Sequence, residues 1–163
     1  MPEMEQVPLT AELLSVMRRA ARTAIDLKEP FITPRAILLS LLDDPAVGPA
    51  IAEVVNRQKV LGAEVGENAG MTRLIEDRME GGEQPAMARY DTLAFKTPDG
   101  RASMWLNKEA YNIFIEGAQR VDDRYYPKQL ALGLASQAIH APGVLAAIRV
   151  EPGVLADAIY RIQ

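Results

Sequence analysis

The feature that most constrains this chain is that one pattern of apolar residues, caps and prolines is written into it twice. Leu9-Thr10 opens a stretch in which Leu13, Val16, Met17, Ala20, Ala21 and Ala24 recur at helical spacing, with Thr10 placed to cap the first turn. Ninety-seven positions further on, Leu106-Asn107 opens a stretch in which Ala110, Ile113, Phe114, Gly117, Ala118 and Val121 fall in the same register, with Asn107 as the cap. Both stretches place small residues at one point, Ala20-Ala21 and Gly117-Ala118, where a second helix can come close.

Each first helix runs into a loop with an aromatic residue and a proline, followed by a second apolar helix. The loops read Phe31-Ile32-Thr33-Pro34 and Tyr125-Tyr126-Pro127. Proline suits a first helical turn, where its missing N–H is no loss. The second loop is four residues shorter, and the register is regained before a third element, Pro45 to Ile51 in one copy and Pro142 to Ile148 in the other, identical at four of seven positions. A fourth helix closes the second copy, with Pro152 in its first turn and Val154, Leu155, Ala158, Ile159 and Ile162 as its apolar stripe. Its counterpart in the first copy is expected over 71–79. The expected fold is therefore all-α: a single domain, 1–163, of two four-helix repeats related by a pseudo-twofold axis. Repeat one covers about 9–79, an insert about 80–105, and repeat two about 106–163.

The insert differs in character. Leu93 to Thr97, then Pro98-Asp99-Gly100, then Arg101 to Trp105 read as a small β-hairpin around a proline–glycine turn, with a bare loop as the competing reading. Such a hairpin would bring Phe95 and Trp105 near each other, either packing against the bundle, which is the expected use, or presenting an aromatic surface. An isolated hairpin is marginal in water, so this one should lean on a helix.

Several classes of function are disfavoured by composition. With no cysteine, the chain has no disulfide, thiolate metal site or cysteine nucleophile. A net charge of −4 opposes binding to the phosphate backbone, so no nucleic-acid partner is expected. The longest strongly apolar stretch, 36–42, is broken by Ser40 and is far shorter than the roughly 20 residues of a membrane span. The acidic start lacks the basic end and apolar stretch of a secretory signal, and the expected location is cytoplasmic. Neither a Gly-x-x-x-x-Gly-Lys-Ser/Thr loop nor a Gly-x-Ser-x-Gly elbow occurs. His140 is the single histidine, expected in a capping or surface role near a helix start, and Asp43-Asp44 and Asp122-Asp123 read as solvated charges and caps. No catalytic residue, metal or cofactor is expected.

The order Leu-Thr, small residues in the first helix, then Ile32-Thr33-Pro34 leading into Ile37-Leu38-Leu39-Ser40-Leu41-Leu42 resembles the Clp N-terminal repeat, and the second copy resembles it less closely. The resemblance implies two four-helix units in pseudo-twofold arrangement, serving as a docking platform for substrates or adaptor proteins. Where that family usually has Glu-His before the leucine-rich helix, this chain has Arg35-Ala36 and Lys128-Gln129. The reversed charge disfavours a guanidinium ligand and favours a carboxylate or phosphate. The expectation is that Arg35 and Lys128 hold an acidic segment of a protein or peptide partner, with Phe31, Tyr125 and Tyr126 beside them. The competing reading makes both cations ordinary solvated surface residues.

The function expected is non-catalytic: substrate or adaptor recognition, or regulation, linked to Clp-type protein unfolding and degradation, with an AAA+ unfoldase or its adaptor as partner. Two alternatives stay open. One is a divergent helical domain binding an unrelated protein or a small apolar ligand between the repeats, and the other is an enzyme site assembled from arginine, tyrosine and acidic residues.

Overall fold

The structure, a computed structural model, describes residues 9–63, 93–140 and 144–162. Helix α1, Ala11–Asp26, is capped by Thr10, whose hydroxyl oxygen accepts from the Leu13 N–H at 3.1 Å. Leu13, Val16, Met17, Ala20, Ala21 and Ala24 are fully buried, the stripe that the spacing defines. The helix ends in a turn where the Glu29 N–H bonds back to Ala24 O at 2.9 Å and Lys28 takes a left-handed φ of 60°. Thr33 caps helix α2, Pro34–Leu42, with proline in its first turn. Two short helices follow, α3 (Gly48–Ala52) and α4 (Arg57–Gly62), the latter capped by Asn56 and burying Val60.

Strands β1 (Ala94–Lys96) and β2 (Ser103–Trp105) form the antiparallel hairpin, in register Ala94 with Trp105 and Phe95 with Met104. Its turn is closed by the Gly100 N–H on Thr97 O at 2.8 Å, and Gly100 takes a φ of 73°, which suits a residue without Cβ. The second repeat then runs α5 (Lys108–Ala118), α6 (Pro127–His140), α7 (Val144–Ala147) and α8 (Pro152–Tyr160). Asn107 caps α5 by accepting from the Ala110 N–H at 2.8 Å, as Thr10 does for α1. Among the described residues no helix is long and apolar enough to cross a membrane.

The relation between the repeats is visible in the backbone. Leu9 pairs in parallel with Tyr125, and Ile32 pairs in parallel with Leu106. Leu9 and Leu106 are equivalent positions, as are Ile32 and Tyr125, each two residues before its proline. The bridges are therefore the same bridge with the repeats exchanged, which is what a twofold axis produces. The hydrogen bonds match: the Thr10 N–H donates to Tyr125 O at 3.2 Å, and the Asn107 N–H donates to Ile32 O at 3.1 Å. Around this crossing α1 packs on α2, α5 on α6, α2 on α6, and α3 on α8. One core results, continuous from Leu13 through Ile37 and Phe114 to Leu155.

One sequence expectation meets a different outcome. The hairpin forms, but Phe95 and Trp105 lie on opposite faces, because side chains alternate along a strand and the register sets Phe95 opposite Met104. Phe95 turns inward with its ring 5.7 Å from that of Phe114, while Trp105 stays 44% exposed. His140 is the last residue of α6 and stands four positions before α7 opens at Val144. The expected helix over 71–79 lies outside the described residues; within them, α4 occupies the place after α3 that α8 occupies after α7.

Candidate functional site

The five residues expected to touch a partner separate into three groups. Tyr125 is fully buried and Phe31 is 6% exposed, so neither offers surface to another molecule in this conformation. The Tyr125 ring lies 4.9 Å from that of Phe114, and its hydroxyl donates to Phe114 O at 2.7 Å. The burial follows from the repeat, since Tyr125 is the equivalent of the fully buried Ile32. Burial pushes the phenol well above its ordinary value of 10.0, with Arg120 pulling the other way. The folded protein thus keeps the proton where the unfolded chain releases it. This contribution to stability is intact below pH 10 and falls as pH rises beyond it. Tyr125→Phe is expected to lower stability by about 1 kcal/mol at neutral pH, through the lost hydrogen bond. It should also flatten the alkaline decline in a series of denaturation midpoints; an unchanged decline would remove Tyr125 as its source.

Arg35 is committed internally. Its Nε and Nη2 each lie 2.9 Å from Glu29 Oε1, and its Nη1 donates to Ala63 O at 2.5 Å. Thr33, the cap of α2, donates its hydroxyl to the other Glu29 oxygen, so the carboxylate ties the loop to the helix start. The Arg35 and Glu29 side chains are 15% and 2% exposed. The expectation of Arg35 as a free cation fails because a buried carboxylate six residues away requires a counter-charge. Lys128 reaches the chain end instead, its Nζ donating to Ile162 O at 3.1 Å. Of the five residues, Tyr126 alone keeps substantial exposure, at 43%.

Cations without carboxylate partners stand elsewhere. A cleft of about 570 Å³ opens between α4 of the first repeat and α7 of the second, lined by Lys59, Gly62, Ala63, Ala147, Ile148 and Arg149. Lys59 and Arg149 are both exposed. No sequence signal joins these two residues, which are 90 positions apart and become neighbours only through tertiary packing. Among the described residues, no group of three or more His, Cys, Asp or Glu side chains gathers as a metal site would need.

Two helical repeats crossing at exchanged backbone bridges, with a cation-lined cleft between them, make a tandem-repeat helical domain. The chain is similar over 93% of its length to the crystal structure of the N-terminal domain of the caseinolytic-protease-associated chaperone ClpD from Arabidopsis thaliana, 92% of which it covers, with a TM-score of 0.58. The sequences are 15% identical, so the likeness is one of fold. No protein-family model and no curated protein matches the sequence.

Proposed function

We propose that the protein is a non-catalytic protein-binding module that recognises a substrate or adaptor, or regulates recognition, for a Clp-type unfolding and degradation machine. The observation that carries this reading is the extent of the fold likeness, which spans 93% of the chain. The neighbour is the N-terminal domain of a protease-associated chaperone, and a domain of that fold serves here as the holding surface. Partner contact falls to exposed groups, such as Tyr126, Trp105 and the cleft cations, rather than to Arg35, which Glu29 holds, or Tyr125, which is buried in the core.

A small apolar ligand between the repeats fits less well. Such ligands favour enclosed, mostly apolar pockets. Among the described residues, two clefts between the repeats carry charge instead: Lys59 and Arg149 line one, and Glu53 and Arg161 line another, where α3 meets α8.

Immobilised protein is expected to retain an AAA+ unfoldase or its peptidase from a lysate of the cell that makes it. A variant with Tyr126→Ala and Trp105→Ala should retain several-fold less while keeping its helical circular dichroism, since exposed aromatics are frequent anchors at interfaces. Repeated recovery of neither partner by the unaltered protein would sink the link to that machinery.

A further inference from the structure

Arg149 sits in a backbone conformation that suits glycine. Its φ is 59°, at the turn closing α7, where the Val150 N–H bonds back to Leu145 O at 2.9 Å and the Arg149 N–H to Ala146 O at 3.2 Å. Glycine adopts that position freely, whereas a residue with a Cβ holds it under strain. A strained position occupied by a long cation invites a functional explanation, because the more stable alternative is a single substitution away.

The side chain retained there lines the cleft of about 570 Å³ between the repeats, together with Lys59. Among the described residues neither cation has a carboxylate partner. Ala63, Ala147 and Ile148 supply apolar wall between the charged groups. The Ala63 carbonyl, which would otherwise repel an incoming anion, is already taken by Arg35 Nη1. Beside them, a Cβ placed on Gly62 would meet no atom within 4 Å.

We infer that this cleft receives an acidic segment of a protein partner, with its carboxylates on Lys59 and Arg149 and an apolar side chain between them against Ile148 and Ala147. The inference rests on the protein-binding reading and narrows it to a site and a chemistry. Charge-assisted hydrogen bonds to a carboxylate satisfy both cations, and arginine adds a two-pronged geometry that lysine lacks. A nucleic acid offers the same sign of charge but meets a molecule with a net charge of −4, and it would leave the apolar wall uncovered.

The test uses a short fluorescein-labelled peptide of alternating glutamate and leucine, the same peptide with glutamine for glutamate, and anisotropy as readout. The glutamate peptide is expected to bind more tightly, and added salt to weaken it. Arg149→Gly should raise the thermal midpoint while weakening the glutamate peptide about tenfold. Lys28→Gly, at the other left-handed position, should raise the midpoint and leave binding unchanged. Adding Lys59→Glu to Arg149→Gly should abolish binding. Equal affinity for the two peptides, or for wild type and the double variant, would overturn the cleft assignment, as would no binding of either peptide. A single-stranded oligonucleotide that displaces the peptide at lower concentration would overturn the choice of partner. The retention experiment is independent of all of these, so the wider reading stands or falls separately.

Discussion

Replacing Gly133 with alanine is expected to cost about 3 kcal/mol and lower the thermal midpoint by roughly 10 °C. A Cβ there would stand 2.5 Å from Ile113 O and 2.6 Å from the Gly117 nitrogen, both backbone atoms of α5, so α5 and α6 would have to move apart. Gly117 contributes to the same crossing, since a Cβ on it would lie 2.8 Å from Gln129 O. The equivalent crossing of the first repeat has more room: Ser40 stands where Gly133 does, and its hydroxyl fits between the helices to donate to Val16 O at 2.5 Å. Alanine in place of an unconstrained helical glycine gains up to about 1 kcal/mol, so any loss at Gly133 is measured against that gain. Gly153→Ala is the control, because a Cβ at Gly153 meets nothing within 4 Å and the change should be stabilising. If both variants gain stability in urea denaturation, α5 and α6 are not in close approach.

The second large effect lies in the first repeat. Arg35→Met should cost about 3–5 kcal/mol, because it strips the counter-charge from a carboxylate that the fold has buried. Glu29 would keep the Thr33 hydroxyl but lose both guanidinium contacts, and Ala63 O would lose its donor. Combining Glu29→Gln with Arg35→Met removes both charges and should restore part of the stability, giving a double variant firmer than Arg35→Met alone. Denaturant midpoints of the three variants measure this coupling. An Arg35→Met protein as stable as the wild type would return Arg35 to the surface role that its sequence position suggests. The same argument makes Arg35→Glu a poor probe of partner binding, since lost affinity would follow from lost structure.

The long helices were legible because their signals are local and redundant. In α1 six apolar positions, a threonine cap and a helical period agree, and the six residues that the spacing defines are those buried. In α5 the same holds for Ala110, Ile113, Phe114, Gly117 and Ala118, while Val121 lies past the end of the helix. The prolines at 34 and 127 marked the starts of α2 and α6 for the same kind of reason. Helix α4 gave no comparable signal, since six residues make less than two turns and present one buried position, Val60.

The candidate site was much less legible. Arg35 reads as a free cation until Glu29 is seen to fold back under it, and that pairing is set by the loop path between α1 and α2 rather than by any periodicity. Tyr125 reads as an exposed loop aromatic, although the repeat itself held the correction: its equivalent, Ile32, is an aliphatic residue of the core. The pairing of Lys59 with Arg149 depends on how α4 and α7 come together across two repeats, which no local pattern encodes. Trp105 differs again, because the hairpin was foreseen and only its register decided which aromatic went inside.

The exchanged bridges at Leu9–Tyr125 and Ile32–Leu106 have a thermodynamic corollary. Each repeat satisfies the other's main-chain donors there, through Thr10 on Tyr125 and Asn107 on Ile32, so a half that melted would strand polar backbone in the half still standing. The molecule should therefore come undone in one cooperative step, with a single heat-absorption peak, even though its architecture is that of two units in tandem.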